Sequence, residues 1–195
     1  HALSLTDPQL IELDPLSCTV FLAKEGMKLD LGCLAKGYIA DKIADYLKSQ
    51  HVMSALINLG GNIKTIGANV LANRPWQIGI QDPRQPRGTN LAVLPICNQS
   101  VVTSGTYERK LQVNEHTYHH ILDRKTGYPV DTQLASITII SDNSLDGEIW
   151  TTRLYGEKPK QLLARVEQEK GIEALIVTTD NRVYYSSGIS PEFLA

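Results

Sequence analysis

The most suggestive chemistry in this sequence lies at residues 29–37 (LDLGCLAKG), where an extended run turns at Gly32 into the start of a helix. The first backbone N–H groups of a helix are unpaired and carry a partial positive charge, which suits a phosphate group. Lys36 falls in the first helical turn and would add a full charge beside them. The segment is not a Walker loop, because its lysine precedes the second glycine and no Ser or Thr follows. An ordinary strand-to-helix turn with a solvated lysine explains the same residues.

Oxygen-bearing side chains share one face of a second predicted helix. Glu148 and Thr152 are four residues apart, and Thr151 follows Glu148 by three. Carboxylate, hydroxyl and carbonyl oxygens are hard ligands, so this group favours Mg²⁺ over zinc. Alternatively, Asp146 caps the helix and Glu148 only interacts with the helix dipole.

Two glycine-containing segments offer backbone and hydroxyl groups to a ligand. Asn58 precedes Gly60 and Gly61, whose conformational freedom would let a ligand approach the backbone closely. A tight hairpin turn explains these residues equally well. Ser104 and Gly105 lie at the end of a predicted strand, where hydroxyl and amide groups would hold phosphate or ribose oxygens. A simple polar turn is the alternative there.

A pair of histidines occurs in residues 118–129 (YHHILDRKTGYP). Neighbouring residues of a strand point to opposite faces, so His119 and His120 cannot both enter one site. We expect one of them to face solvent or a neighbouring strand, while the other faces a pocket or is itself structural. Residues 123–127 form a polar turn.

Short strands and a few helices must position these groups. Apolar residues recur at helical spacing over 34–49, and again over 146–155 and 159–170. The sequence predicts extended segments over residues 10–13, 18–22, 28–31, 54–58, 76–80, 91–96, 100–103, 111–113, 118–122, 134–140, 174–178 and 183–185. This order indicates one α+β domain over residues 1–195, mainly antiparallel, with helices packed on the sheet faces.

Composition excludes several classes of protein. The 195 residues are 42% hydrophobic and 21% charged, which is typical of a folded globular chain rather than a disordered one. Lys and Arg number 19 against 21 Asp and Glu, so the net charge of −2 provides no broad basic field for nucleic acid. No apolar run approaches the ~18 residues of a membrane helix. Cys18, Cys33 and Cys97 are widely spaced and indicate neither a zinc site nor a disulfide framework.

Five segments, taken in order, resemble the ApbE family of FAD:protein FMN transferases. They read LDLGCLAKGYIADK, INLGGNI, WQIGIQDPR, VVTSGTYERKL and HHILDRKTGYPV, and the resemblance runs from about residue 9 to the C-terminus. It implies an α+β fold of the ApbE, T-fold-like kind. It also implies that the pyrophosphate of FAD is split, that FMN is joined through a phosphoester to a Ser or Thr hydroxyl of a target protein, and that AMP leaves. FAD is thus the expected substrate, Mg²⁺ the expected cofactor and an acceptor flavoprotein the expected partner.

The resemblance also implies roles for individual residues. The metal ligands would be the backbone carbonyl of Cys33 together with Glu148, Thr151 and Thr152. Glu148 is preferred to Asp146, because a carboxylate and a threonine four residues apart have the family's spacing.

Lys36 and His120 are the implied catalytic residues, and we expect His120 to assist deprotonation of the acceptor hydroxyl. The residues expected to contact FAD or to shape its pocket are Asp30, Gly32, Lys36, Asn58, Gly60, Gly61, Ser104, Gly105, His120, Leu122 and Thr126.

Several features depart from the family pattern. Glu148 replaces the usual aspartate, Arg124 stands where proline is common, and Cys33 stands where Gly, Ala or Thr is usual. The family's N-terminal third, which supplies much of the adenine and isoalloxazine contacts, does not appear in this sequence. We therefore expect these 195 residues alone to bind FAD weakly or not at all.

Family members are frequently exported lipoproteins of the bacterial cell envelope. The resemblance therefore implies an extracytoplasmic, lipid-anchored full-length protein, with the cytoplasm as the alternative. Two other functional readings remain: a flavin- or nucleotide-binding module without turnover, or an inactive truncated fragment. A hydrolase built on Ser104 and His120 is disfavoured, because no Gly-x-Ser-x-Gly elbow is present.

Overall fold

The computed structural model describes residues 2–106, 110–113, 116–119, 121–123 and 125–194, with the backbone alone for 110–113 and 116–119. Two short 3-10 helices come first, at Ala2–Leu5 and Pro8–Leu10. The α-helices of the described residues are α1 (Ala35–Ser49), α2 (Ser144–Arg153) and α3 (Pro159–Val166). The strands are β1 (Ile11–Asp14), β2 (Thr19–Leu22), β3 (Ala55–Leu59), β4 (Asn62–Ile66), β5 (Trp76–Gln81), β6 (Asn90–Ile96), β7 (Ser100–Gly105), β8 (Lys110–Val113), β9 (His116–His119), β10 (Leu134–Ser141), β11 (Ile172–Thr178), β12 (Val183–Tyr185) and β13 (Glu192–Phe193).

Six strands form a central antiparallel sheet in the order β12-β11-β10-β7-β4-β3. Strand β10 pairs with both β7 and β11, and β4 joins β7 through Ile63 and Val101. A three-stranded antiparallel sheet, ordered β13-β6-β5, and the two hairpins β1-β2 and β8-β9 complete the pairing. The predicted α+β class with mainly antiparallel sheets is confirmed.

Side chains of the central sheet pack on both of its faces, because successive residues of a strand point in opposite directions. On one face, Ile137 and Ile139 of β10 pack with Leu162 and Val166 of α3. On the other face, Ile140 of β10 packs with residues of the three-stranded sheet. Full burial of each such side chain contributes ~1.5–3 kcal/mol to folding.

Helix α1 lies on the β3-β4 end of the sheet. Its buried residues Ala40 and Ala44 pack with Ile57 of β3 and Ile66 of β4. The small alanine side chains bring the helix close to the sheet. This placement sets the start of α1, with its lysine, beside the start of α2.

Three sequence predictions of secondary structure need correction. Residues 28–31 are not a strand, because the Asp30 carboxylate accepts the Gly32 N–H at 2.7 Å and holds a local turn instead. The helix predicted over 159–170 ends at Val166, where turn-like hydrogen bonds lead to Gly171 with a φ of +75°. The strand predicted over 118–122 ends by His119, and Leu122 makes only an isolated bridge, to Pro129.

Candidate functional site

A lysine and a buried acid meet where α1 and α2 begin. The Nζ atom of Lys36, the second residue of α1, lies 3.3 Å from Oε1 of Glu148 on α2. The lysine side chain is 48% exposed, whereas the glutamate side chain is 6% exposed. The pair therefore has a cationic end that solvent reaches and an acidic end fixed inside the protein.

Asn62, the first residue of β4, holds the carboxylate of Glu148 in place. Its Nδ2 donates to Oε1 of Glu148 at 2.8 Å, and its Oδ1 accepts the Ser144 hydroxyl at 2.6 Å. Both ends of the amide are thus used, which fixes its orientation. Oε2 of Glu148 makes no hydrogen bond to another described residue, so one carboxylate oxygen is left to accept a ligand.

The first turn of α1 leaves backbone groups available in the same region. The N–H groups of Leu34 and Ala35 donate to the Leu31 carbonyl at 2.9 and 2.8 Å, and the helical bonds begin beyond them. Within the part of the chain that the structure describes, the Cys33 carbonyl accepts no hydrogen bond and the N–H groups of Lys36 and Gly37 donate none. Among the described residues, the start of α1 thus leaves backbone donors and an acceptor unpaired next to the lysine.

The two threonines of α2 differ in environment. Thr151 is buried, and its hydroxyl donates to the Glu148 carbonyl at 3.1 Å, while Thr152 is exposed. Asp146 lies in the first turn of α2 and accepts Asn143 Nδ2 at 3.2 Å. Glu148, not Asp146, is therefore the carboxylate that faces Lys36.

The described residues contain no cluster of three or more His, Cys, Asp or Glu side chains arranged to hold a metal ion. A cation at this site would therefore depend on the Glu148 carboxylate together with hydroxyl and carbonyl oxygens. Such oxygens are the donors that Mg²⁺ prefers, so the residues present fit that ion chemically.

Helices α1 and α2 are in close contact beside the acid–lysine pair that Glu148 and Lys36 form. A Cβ atom added to Gly37 would lie 2.6 Å from the Ser144 carbonyl oxygen and 2.8 Å from the Leu145 nitrogen. One turn later on α1, Asp41 accepts the N–H groups of Ser144 and Leu145 at 2.8 and 2.9 Å. A carboxylate of α1 therefore caps the N-terminus of α2.

Lys64 lies under this contact and is 5% exposed. Its Nζ is 3.8 Å from Oδ1 of Asp41 and donates to the backbone carbonyl of Asp142. Burial lowers the pKa of Lys64, and the charge of Asp41 opposes part of that effect. Because Lys64 and Asn62 are two residues apart on β4, both point to the face on which α1 and α2 lie.

Asp30 and Gly32 form the turn that leads into α1. Both residues are exposed, and the Asp30 Oδ1 atom is occupied by the Gly32 N–H. The structure thus places these two predicted FAD-contacting residues just before the free groups at the start of α1.

Asn58, Gly60 and Gly61 form the β3-β4 hairpin turn. Asn58 Oδ1 accepts the Gly61 N–H at 2.9 Å, and the two glycines have φ values of +63° and +95°. The tight-turn interpretation therefore explains their residue types. Asn62 follows immediately and contacts Glu148, so the turn lies at the edge of the site.

Ser104 and Gly105 are the last residues of β7 and pair with β10. Val102, two residues before Ser104, lies under α2, where a Cβ added to Gly147 would come within 2.6 Å of it. Ser104 points to the same face as Val102 by strand alternation. It therefore lies on the side of the sheet that carries α2.

Leu122 and Thr126 belong to a compact loop that is separate in its contacts from Lys36 and Glu148. Leu122 is exposed, and the Thr126 hydroxyl accepts the Tyr128 N–H at 3.2 Å. Neither residue hydrogen-bonds to the acid–lysine pair. His120 and Arg124 lie outside the described residues, so the predicted role of His120 stays a prediction.

The sequence interpretation assigned no role to Asp41, Asn62, Lys64 or Ser144. Asn62 and Asp41 both fall inside the family-like segments, but their contacts join residues 86 and 103 positions apart. The only local signal was the helical spacing of Gly37 and Asp41, which places them on one face of α1.

Fold and site together define an α+β protein with an acid–lysine pair at the meeting point of two helix starts. The chain belongs to the ApbE family, whose model matches residues 1–176. An FAD:protein FMN transferase of Klebsiella pneumoniae strain 342 is 48% identical over 185 residues, which are 95% of this chain and 56% of that protein. An FAD:protein FMN transferase of Treponema pallidum is 38% identical over 88% of this chain and 49% of its own length. The chain thus spans about half the length of these curated relatives.

Solved structures agree with this membership. The crystal structure of the ApbE protein of Thermotoga maritima superposes with a TM-score of 0.85 at 30% identity, covering 96% of this chain and 60% of that one. The flavin transferase ApbE of Vibrio cholerae gives a TM-score of 0.78 at 26% identity, covering 95% and 58% of the two chains. The architecture described above is therefore the ApbE fold.

Proposed function

We propose that this chain supplies the phosphate- and metal-binding part of an FAD:protein FMN transferase. The observation that carries the proposal is the contact of Lys36 with Glu148 between two helix starts, beside free backbone donors and acceptors. The names of the related proteins support the substrate and the reaction. In this reaction an acceptor hydroxyl oxygen bonds to the FMN phosphorus, the bond from that phosphorus to the bridging oxygen breaks, and AMP leaves.

The proposed Mg²⁺ ligands are Glu148, the Cys33 carbonyl and the hydroxyls of Thr151 and Thr152. Glu148 offers its free Oε2 atom, and the Cys33 carbonyl has no competing donor among the described residues. A bound Mg²⁺ would neutralise charge on the pyrophosphate oxygens and polarise the phosphorus. The buried position of Glu148 suits this role, because a fixed carboxylate loses little freedom when a cation binds.

Lys36 supplies charge and orientation for the phosphate oxygens. When a cation binds Glu148, the partly exposed ammonium group of Lys36 is free to contact a phosphate oxygen. The nearby backbone N–H groups of Lys36 and Gly37 are free to contact one as well. Donors that are already in place when charge develops lower the barrier more than donors that must reorganise. Phosphoryl transfer depends mainly on such positioning and neutralisation.

His120 is proposed as the group that accepts the proton of the acceptor hydroxyl. A histidine is suited to this task, because its ordinary pKa lies close to neutral pH. If His120 has this role, replacing it with alanine should lower transfer far more than FAD binding. Equal losses of both would remove the proposed role.

Mass spectrometry of an acceptor peptide tests the proposed reaction. The full-length protein carrying this chain is incubated with FAD, Mg²⁺ and a peptide with the target Ser or Thr. We expect a peptide mass increased by FMN less one water, with AMP released in equal amount. FAD binding without any AMP or modified peptide would instead indicate a non-catalytic flavin-binding module.

Lys36→Gln provides the matched variant for this assay. We expect it to lower the transfer rate by about a hundredfold, since a charged donor to the phosphates is lost. Lys42→Gln is the control, because Lys42 is exposed on the same helix and its ammonium group contacts nearby Asp45 and the Tyr38 ring rather than Glu148. Equal rates for the two variants would contradict the role of Lys36.

We also propose the extracytoplasmic side of the bacterial envelope as the place of action, on the basis of the family resemblance. Among the described residues no helix is long and apolar enough to cross a bilayer. Fractionation of cells that express the natural gene tests the proposal. Recovery of the protein in the cytoplasmic fraction alone would contradict it.

A further inference from the structure

Asp41 is a half-buried acid of α1 whose contacts lie on another helix. Its two carboxylate oxygens accept the N–H groups of Ser144 and Leu145, at 2.8 and 2.9 Å. These are the first residues of α2, whose own N-cap residue, Asn143, makes no capping hydrogen bond with its side chain. The cap of α2 therefore comes from a residue about a hundred positions earlier in the chain.

This cap stabilises α2 and also helps to fix the place at which α2 meets α1. The carboxylate pairs two of the unpaired N–H groups of α2 and places negative charge at the positive end of the helix. One turn before Asp41, Gly37 lies against the same residues, without room for a side chain. Gly37 and Asp41 together fix both how closely and at which residue α2 meets α1.

The position of Glu148 follows from the position of this first turn. Glu148 lies four residues after Ser144, one helical turn along α2. The Ser144 hydroxyl also bonds to Asn62, and Asn62 bonds to Glu148. A shift of the start of α2 would therefore move Glu148 relative to Lys36 and disturb its hydrogen bond to Asn62.

Lys64, on strand β4, helps to orient the Asp41 carboxylate from the side of the sheet. It is 5% exposed, lies 3.8 Å from Oδ1 of Asp41 and donates to the Asp142 carbonyl, just before α2. The ammonium group of Lys64 thus contacts both the capping carboxylate of Asp41 and the segment that leads into α2.

We infer that Asp41 is a positioning residue for the metal site: by capping α2 from α1, it sets the distance between Glu148 and Lys36. The inference rests on the proposed function, because it gives Glu148 the role of cation ligand. Asp41 itself contacts neither the cation nor the substrate in this account.

The test is a Mg²⁺ titration of thermal unfolding with the wild-type protein and the Asp41→Asn variant. Asparagine offers one acceptor oxygen to two N–H groups, so the cap is weakened. We expect the Mg²⁺ concentration that gives half of the stabilisation to rise by about tenfold, the lower end of the effects seen for residues that support metal ligands. Asp45→Asn, one turn further along α1 and exposed, should leave this concentration unchanged.

The outcomes separate this inference from the proposed function. An Asp41→Asn protein that melts at a lower temperature but needs the same Mg²⁺ concentration would show a merely structural role and overturn the inference. A wild-type protein that Mg²⁺ does not stabilise at all would overturn the proposed metal site, and the inference with it.

Amide hydrogen exchange of the wild-type protein keeps the test valid if the variant does not fold. The N–H groups of Ser144 and Leu145 should exchange as slowly as amides in the middle of α2. Exchange at the rate of an unprotected helix end would show that Asp41 does not cap the helix, and would overturn the inference.

Discussion

Asn62 shows how one amide side chain organises the acidic half of the site. It is 1% exposed, and its two ends join the Ser144 hydroxyl to the Glu148 carboxylate. A buried carboxylate is costly unless hydrogen bonds and opposite charge compensate it. Asn62 and Lys36 supply both, and they do so through Oε1, which leaves Oε2 for a ligand.

Asn62→Ala should lower the free energy of unfolding by about 1–3 kcal/mol, because the Ser144 hydroxyl loses its acceptor and Glu148 loses a donor. Guanidinium unfolding measures the change. Gln77→Ala serves as the control: the Gln77 side chain is exposed and donates to the Pro75 carbonyl, two residues earlier, so the effect of its removal should stay within about 0.5 kcal/mol. An Asn62→Ala variant with the same free energy of unfolding as the wild-type protein would show that the Asn62 contacts do not support the fold.

For individual residues, the sequence predicted which side chains could take part in chemistry better than it predicted the contacts that they make. Lys36 and Glu148 could be selected from their places in two helix starts. Asp41 could not, because an acid in the second turn of an amphipathic helix has the appearance of an ordinary solvated residue. Its role depends on an α2 terminus that only tertiary packing brings near.

Among the elements, the contact of α1 with α2 matters most for the site. The helices approach closely at Gly37, where a Cβ atom would meet backbone atoms of Ser144 and Leu145. Backbone atoms cannot move aside as a flexible side chain can, so any larger residue at position 37 must separate the helices.

Gly37→Ala should therefore destabilise the protein by about 1–3 kcal/mol. The sign of this change in stability is informative, because a Gly→Ala substitution at an unhindered helical position stabilises a protein by about 0.5–1 kcal/mol. Chemical denaturation measures the difference, with Lys42→Ala on the exposed side of α1 as the control. A more stable Gly37→Ala protein would contradict the close helix contact.

The loop after β5 contains an ion pair that should affect acid stability. Asp82 is 6% exposed, and Arg84 donates to it through Nε at 2.7 Å and Nη2 at 2.5 Å. The side-chain hydrogen bond from Arg84 lowers the pKa of Asp82 below its usual 3.8. A carboxyl group with a lowered folded pKa stabilises the fold above pH 3.8, and this contribution is lost as pH falls through the folded pKa.

Asp82→Asn should thus lose stability near neutral pH and show a smaller further loss on acidification than the wild-type protein. Urea unfolding at a series of pH values between about 2 and 6 provides the measurement. Arg84→Gln should reduce the pH dependence in the same direction, since it removes the partner of Asp82. Parallel pH curves for wild type and Asp82→Asn would contradict this assignment.

Helix α1 could be predicted from residue periodicity, because its buried residues, Gly37, Ala40 and Ala44, recur at helical spacing on one face. Most strands could be predicted because they are short apolar or alternating runs bounded by turn residues. Residues 28–31 could not, since their alternation suits a strand while the Asp30 side chain forms a local turn instead. The end of α3 was also missed, because apolar spacing does not reveal where the turn before Gly171 begins.

For the molecule as a whole, the chain carries the ApbE fold over about half the length of its curated relatives. The acid–lysine pair, its Asn62 support and the helix cap are all formed within this half. The proposed function assigns metal and phosphate binding to this part of the protein, and contacts with the flavin and adenine rings to the part of the relatives' length that it does not span.

The 195-residue chain alone should accordingly bind FAD weakly, with a dissociation constant above the micromolar range. Fluorescence titration of FAD provides the measurement, and the full-length protein is the control. Micromolar binding by the chain alone would show that it contains a complete FAD site.

At the whole-molecule scale, family membership and the α+β class could be predicted from five ordered segments, even though each segment alone is weak evidence. Their order reflects the strand and helix succession that builds one site from distant residues. The placement of Asn62 and Lys64 side by side under two helices could not be predicted, because it depends on the pairing of β4 with β7.

The most direct test of the account is a Mg²⁺ titration of AMP release from FAD, with the full-length wild-type protein and its Glu148→Gln variant. Glutamine keeps the size of the side chain but removes the charge that would hold the cation. We predict Mg²⁺-dependent AMP release by the wild type, and a loss of at least about a hundredfold in the variant at the same Mg²⁺ concentration. Equal AMP release by both proteins, with the same dependence on Mg²⁺, would contradict the assignment of Glu148 as the residue that holds the cation beside Lys36.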